Sequence, residues 1–343
     1  MTNPDISVIM PVYNRADSLQ LSVESILNQT FKNFELLLIN DGSSDNSGEV
    51  CEKYAKKDAR VKVVHQSNGG VGRARNSGLE KATGKYVTFC DSDDYVFPDA
   101  LDTMYREIGD SDILVCGLFK QRLRKEEVNL EKVELLPRKK DNYKSWDATS
   151  VDLIKDIINE LDTWTINSVV TLLLKRNIIE DNKLRFRNYY GYEDDMFAHE
   201  YLQYIHSAKK IDYEGYLYID TPNSLSKSHK CIVEEDWIDR MREIQKELIS
   251  RFQIKEGYYL QLWRWRNALR YTSYILKGYY KDTRVGRKER LKRWKYMKDH
   301  REDWINPLTC IDRKRMLILD IARLNLPCSL IDPILLFFAN RMT

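Results

Sequence analysis

The chain has 343 residues, 43% of them apolar and 31% charged, enough for one large domain with an appendage or two modest ones. With 55 basic and 52 acidic side chains its formal net charge is only +3, which excludes the polycation expected of a nucleic-acid wrapper. Its six cysteines, Cys51, Cys90, Cys116, Cys231, Cys310 and Cys328, share no C-x-x-C spacing and join no His/Cys cluster, so they read as reduced, buried thiols and not as a zinc site.

Residues 6–10 are a short apolar run halted by Pro11 and a polar loop, the pattern of a buried strand. Leu19, Val23, Ile26 and Leu27 then recur at helical spacing, so 17–29 is expected to be an amphipathic helix. A second buried strand is expected at 34–39, closed by the turn signal Asp41-Gly42-Ser43. The alternation goes on with a helix at 46–57, a strand at 61–64, a helix at 71–82 and a strand at 86–90. A helix at 98–108 and a strand at 112–118 complete it. Such alternation implies parallel strands covered by helices, with ligands bound at the carboxyl ends of the strands.

The stretch 120–165 is charged and irregular, with a hairpin strand expected at 128–136. Strands at 169–174 and 211–219 flank a helix at 193–205. Beyond about 232 the strand signals stop, and helical stretches rich in Trp, Tyr, Lys and Arg follow. A boundary is therefore placed at 228–234, dividing an α/β domain, 1–231, from a helical domain, 232–343. The amino terminus has no basic region leading into a long apolar stretch, and the longest apolar run, 334–339 after Pro333, is too short to span a bilayer. The expectation is a soluble cytoplasmic protein.

The loops at the strand ends carry the chemistry. The first, Pro11-Val12-Tyr13-Asn14-Arg15, is not the G-x-G-x-x-G turn of a dinucleotide fold. The second is Asn40-Asp41-Gly42-Ser43-Ser44-Asp45, and the third runs from Asn68-Gly69-Gly70 to Arg73-Ala74-Arg75-Asn76. The fourth is Asp91-Ser92-Asp93-Asp94. One sheet edge thus collects an aromatic, a carboxylate, glycines with arginines, and an acidic cluster, which together suit a nucleoside diphosphate. Tyr13 can pack on a base, and Asp41 can accept the imide N–H of uracil. The loop at Asn68 and Gly69 admits a ligand close to the backbone, and the fork of Arg75 suits phosphate. Asp91 and Asp93, at i and i+2, can hold a ribose hydroxyl and a hard divalent cation, Mg²⁺ or Mn²⁺. Any one of these signals occurs in ordinary solvated turns; their appearance at successive strand ends carries the inference.

The segments ISVIMPVYN, SILNQTFKNFELLLINDGSSDNS, NGGVGRARNSGLEKATGKYVTF and DSDDYVFPD cover residues 5–102 almost without a gap. They resemble the inverting family 2 glycosyltransferases of GT-A fold, in their bacterial surface-polysaccharide branch. The resemblance implies an α/β nucleotide-diphospho-sugar transferase fold with a doubly wound mixed sheet, followed by a helical subdomain. It also implies a UDP-sugar donor, a divalent metal and transfer with inversion. By it, Pro11, Val12, Tyr13 and Asp41 would hold the nucleoside, and Asp91 and Ser92 would sit near ribose and diphosphate. Asp93 would ligate the metal, with Asp91 beside it. Asn40 departs from the family, which usually has a second Asp before the D-G-S, while Asp41 is kept.

Inverting transfer needs a base for the acceptor hydroxyl. Glu193-Asp194-Asp195 opens a predicted helix, which by itself reads as acids compensating a helix dipole. The resemblance assigns Asp194 as the general base and Glu193 as its partner in acceptor binding. The helix terminus lowers a carboxylate pKa and neighbouring acids raise it, so an ionised Asp194 at neutral pH is the expected balance. Further on, 223–229 resembles a loop that closes on the diphosphate, and His229 would add a metal or phosphate ligand. Upstream, 170–173 lacks the family's Trp-x-Lys-Leu pattern, so no acceptor contact is carried over there.

In the helical part, Tyr258, Tyr259, Trp263, Trp265, Tyr271 and Tyr274 crowd among arginines, and a basic run follows at 284–298. These residues suit a helical core with oligomer contacts, or a basic aromatic patch meeting anionic lipid headgroups at the inner face of the plasma membrane. The whole reads as a hexosyltransferase from a UDP-sugar to a lipid-linked or protein-linked glycan, without nucleic acid. A sugar-phosphate nucleotidyltransferase shares the nucleotide and metal, but needs a glycine-rich basic loop after the first strand, where PVYNRAD stands. A non-catalytic glycan-binding scaffold of the same fold is opposed by the presence of Asp41, Asp91, Asp93 and Asp194.

Overall fold

The computed structural model describes residues 3–124, 140–141, 145–148, 168–188, 193–220, 235–251, 286–288, 290–292 and 295. The chain divides into two compact units, Met1–Pro222 and Asn223–Thr343. In the first, β1 (Ile6–Val12) and β2 (Phe34–Asp41) are buried along their whole length. That explains their unbroken apolar runs, since central parallel strands are covered on both faces. β1 pairs in parallel with β2 and with β4 (Tyr86–Phe89), and β2 with β3 (Val61–Gln66). Between these strands lie α1 (Leu19–Leu27), α2 (Ser47–Lys57) and α3 (Val71–Lys81). The parallel register brings every loop that leaves a carboxyl end to one edge.

Beyond β4 come the two-residue β5 (Tyr95–Val96), α4 (Ala100–Ile108) and β6 (Ile113–Arg124). After β7 (Ser145–Ala148), a 3-10 turn at Val169–Thr171 leads into β8 (Leu172–Lys175), α5 (Arg176–Asp181), α6 (Glu193–Leu202) and β9 (Ala208–Asp220). The sheet order is β3-β2-β1-β4-β8-β6-β9-β5, with β7 on β9. β8 runs antiparallel to both β4 and β6, so the sheet is mixed, as the resemblance implies.

Three departures from the sequence reading have physical causes. Pro11 does not stop β1, because the β1–β4 register ends at Ile9 and Phe89. Beyond it β1 keeps only β2 as a partner, so the absent N–H of Pro11 breaks no bond to β4. The expected strand at 169–174 begins as a 3-10 turn, because the N–H and Oγ1 of Thr171 both donate to the carbonyl of Ser168, at 3.3 and 3.0 Å. Such local bonds compete with an extended ladder. β5 and β7 are too short to show a period. The hairpin expected at 128–136 lies outside the described residues.

At the amino edge, opposite the loops, the carboxylate of Glu35 on β2 is buried. It accepts from Ser7 Oγ (2.6 Å) on β1, Lys62 Nζ (2.6 Å) on β3, and the N–H and Oγ1 of Thr83 (2.7 and 2.8 Å) before β4. Burial pushes this carboxyl up, but the bonds from Lys62, Ser7 and Thr83 outweigh it and hold it below the usual range. Its stabilisation is therefore present above the unfolded value of about 4.3, and is lost as pH falls through the lower folded value. Glu35→Gln is expected to lower the unfolding free energy at pH 7 by about 1–3 kcal/mol. It should also flatten the loss of stability below pH 4, measured by urea titration across pH.

In the second unit α7 (Glu235–Arg251) buries Ile244 and Leu248, one helical turn apart. Most of the aromatic and basic stretches that follow, and the apolar 330–339, lie outside the described residues. Among the described residues no helix is long and apolar enough to cross a membrane.

Candidate active site

The first two strand-end loops are laced together. The N–H groups of Asn14, Arg15 and Ala16 donate to Ser43 Oγ (3.1 Å), Ser47 Oγ (2.8 Å) and Asp45 Oδ2 (3.0 Å), and Asn14 Oδ1 accepts from the N–H of Ser44 (2.8 Å). This leaves the ring of Tyr13 47% exposed at the carboxyl edge. At the end of β2, Asp41 is buried and organises the third loop. Its Oδ1 accepts from Gln66 Nε2 (2.7 Å) and the N–H of Gly69 (2.9 Å), and its Oδ2 from the N–H of Gly70 (2.9 Å). Oδ2 keeps a lone pair for one more donor, such as an imide. Gly42 is required between these loops: its φ is +69°, and a Cβ there would lie 2.6 Å from the backbone nitrogen of Asn68.

In the fourth loop, burial sorts the three acids. Asp94 is 1% exposed and accepts from Tyr216 Oη (2.7 Å) and the N–H of Ile219 (2.8 Å), both on β9. Burial, then the charges of Asp93 and Asp91, pushes its carboxyl well above the ordinary range. Tyr216 Oη also accepts from the N–H of Asp91 (3.1 Å), so one phenol fixes both ends of the loop. Ser18 and Ser22 of the first crossover donate to the carbonyls of Ser92 and Asp94, at 3.2 and 2.7 Å, and Ser92 is itself buried. Asp91 and Asp93 keep some exposure, at 35% and 16% of their side chains.

Tyr216→Phe is expected to cost about 1–3 kcal/mol of stability, because buried Asp94 loses a donor and the N–H of Asp91 loses its acceptor. Urea unfolding measures that cost, and calorimetry should show weaker nucleotide binding in the same variant.

The donor set fits a hard divalent cation in one particular way. Among the described residues no three His, Cys, Asp or Glu side chains gather as a cage. Two partly exposed carboxylates suit Mg²⁺ or Mn²⁺, which keep waters and take phosphate oxygens for the rest of the shell.

Arg75, on α3, joins the two halves. It is 4% exposed, with Nη1 on Glu193 Oε1 (2.7 Å) and Nη2 on Asp91 Oδ1 (3.0 Å). Its guanidinium lies 5.4 Å from the ring centre of Phe186, which stacks on Phe197 of α6 at 4.0 Å and meets Phe89 of β4 edge-on at 5.3 Å. These rings seat the amino end of α6 against the carboxyl end of β4. Gly72 allows the approach, since a Cβ there would meet the carbonyl of Arg187 at 2.9 Å and Glu193 Cγ at 3.5 Å.

The three acids of α6 then take separate places. Glu193 is tied to Arg75, and Asp195 is fully buried beside His199 (Oδ1 to Nδ1, 3.3 Å). Asp194 keeps partial exposure, with Oδ1 accepting from the N–H of Asp195 (2.8 Å). Burial, then the charge of Glu193, outweighs Arg75 and pushes the Asp194 carboxyl up to about 8. The ionised Asp194 expected at neutral pH is thus corrected: burial was not legible in the sequence, and it dominates.

A sequence model described as Glycosyl transferase family 2 matches residues 7–156. The glycosyltransferase GlyG of Streptococcus pneumoniae is 31% identical over 233 residues, which are 62% of this chain and 69% of GlyG. The chain belongs to glycosyl transferase family 2. EpsJ of Bacillus subtilis, named an uncharacterized glycosyltransferase, is 33% identical over 227 residues, 65% of this chain. The match spans 63% of EpsJ, less than two thirds of that relative's length. The structure of S. aureus TarS 1-349 in complex with UDP-GlcNAc superposes with a TM-score of 0.65 at 21% identity, covering 93% of this chain and 87% of that one. That likeness shows a shared fold.

In this family 2 chain the sequence-named residues Tyr13, Asp41, Asn68, Gly69, Arg75, Asp91, Ser92 and Asp93 all stand on or behind one sheet edge, and Glu193 meets it through Arg75, with Asp194 next to it in α6. Pro11 and Val12 are buried at the end of β1. His229 lies outside the described residues. Arg75, read as a phosphate fork, has both terminal nitrogens on carboxylates. Sequence reasoning missed Tyr216, which lies 122 residues from Asp94, a separation that no local spacing reveals. It also missed the pairing of Arg15 with Asp93, at 3.2 Å.

Proposed function

We propose that this family 2 chain moves a hexose or N-acetylhexosamine from a UDP-sugar to a hydroxyl of a glycan acceptor, with inversion at the anomeric carbon. The observation that carries the reading is the bridge from Asp91 through Arg75 to Glu193, which sets the acidic loop after β4 beside the amino end of α6. Tyr13 offers its exposed ring to the base, and Asp41 accepts from the base edge. Asp91 and Asp93 would hold Mg²⁺ or Mn²⁺, which would supply positive charge against the negative charge of the departing diphosphate. Asp194 takes the acceptor proton on Oδ2, the oxygen not engaged by its own helix, as the hydroxyl attacks the face opposite the nucleotide. Arg75 holds Glu193 in place beside it.

The acceptor is proposed to be a lipid-linked or protein-linked glycan bound for the bacterial surface. The second unit would supply acceptor, oligomer or membrane-surface contacts. UDP release across common donors, beginning with UDP-GlcNAc, tests the reading. Release that needs acceptor and Mn²⁺ or Mg²⁺, and stops with EDTA, is the expected result. Binding of donor without turnover under every acceptor would instead indicate a non-catalytic scaffold.

A further inference from the structure

Arg15 leaves the first crossover to reach the acidic loop. Its Nε lies 3.2 Å from Asp93 Oδ2, with both side chains mostly buried. Its backbone is held independently of that contact. The N–H donates to Ser47 Oγ at 2.8 Å, and the carbonyl accepts from the N–H groups of Ser18 and Leu19 at 3.0 and 2.9 Å. Asn14, at a φ of +50°, turns the chain just before it. The side chain can therefore leave Asp93 while the loop keeps its shape.

Asp91 and Asp93 stand two residues apart in the acidic loop, and like charges so close need a counter-charge. Arg75 stands on the first and Arg15 on the second. A guanidinium and a divalent cation repel each other and compete for the same carboxylate oxygen. We propose that Arg15 is a placeholder cation: it occupies Asp93 in the donor-free protein and passes to the diphosphate when donor arrives, so that the divalent cation enters together with the nucleotide. The proposal rests on the metal-assisted reading above. Guanidinium forks match phosphate as well as carboxylate, so the exchange keeps Arg15 paired at each stage and leaves no partly buried charge uncompensated. It also makes cation and nucleotide binding reciprocal: each strengthens the other.

Titration of free Mn²⁺ by electron paramagnetic resonance, with and without UDP, tests this on wild type, Arg15→Gln and Arg15→Lys, with UDP affinity read by calorimetry. Arg15→Gln is expected to bind Mn²⁺ alone at least about fivefold more tightly, and UDP with Mn²⁺ about tenfold more weakly. UDP then enhances Mn²⁺ binding less than in wild type, while Arg15→Lys keeps the wild-type pattern. A purely structural role for Arg15 would weaken both ligands. If Arg15→Gln binds Mn²⁺ alone no more tightly, while wild type binds it with UDP, the placeholder is overturned and the metal-assisted reading stands. Failure of wild type to take up Mn²⁺ even with UDP overturns both.

Discussion

Asp194→Asn is expected to lower kcat by roughly a hundredfold to ten-thousandfold, the usual worth of a positioned general base, while UDP binding persists. The asparagine keeps the acceptor for the N–H of Asp195, so the start of α6 stays formed and the loss falls on proton transfer. Its pH behaviour has a definite sign. The carboxyl is raised to about 8 by burial and by Glu193, so the wild-type rate should climb with pH and level off above that value. The same shift acts on stability in reverse. The folded state binds a proton that the unfolded chain releases near 4, so between about pH 4 and 8 folding stability falls as pH rises. Asp194→Asn should therefore melt higher than wild type at pH 8 while turning over far more slowly. A variant that is inactive but less stable would mean that the carboxylate serves the fold, and normal turnover would remove it from the mechanism.

Arg75→Met should be the more damaging change. It leaves Asp91 and Glu193 facing each other without the cation between them, and breaking a buried pair from one side costs about 3–5 kcal/mol. Glu193→Gln added to Arg75→Met should recover part of that cost, because one of the two stranded charges is gone. Arg75→Lys should not restore activity, since an ammonium cannot present two separate nitrogens along one plane to carboxylates on different elements. Urea unfolding with a UDP-release assay separates the effects. If Arg75→Met is as stable as wild type, Arg75 is not the strut the geometry describes.

Much of the fold was legible because central parallel strands are covered on both faces and carry apolar runs, as residues 8–10 of β1 and 36–39 of β2 do. The edge that gathers the loops was legible for a related reason: loops from successive parallel strands share an edge, so motifs far apart in sequence could be placed together. What stayed hidden depends on tertiary neighbours. Charge type alone could not tell that Arg75 faces two carboxylates and not a phosphate, nor that Asp94 is buried under Tyr216 while Asp93 is not. The raised carboxyl of Asp194 required knowing what covers it. Pro11 was misread as a strand end because the length of its partner strand β4 decides whether its N–H is missed.

The contact of α3 with α6 through Gly72 and Arg75 bears on protein engineering. The stretch matched by the family model ends at 156, before the helix that holds Asp194, so a graft of a new second half onto this first half looks straightforward on paper. The interlock forbids treating the halves as interchangeable cassettes. A transplanted helix must bring an acid that reaches Arg75 and a backbone that tolerates bare Gly72, or a chimaera will fold with α3 and α6 out of alignment.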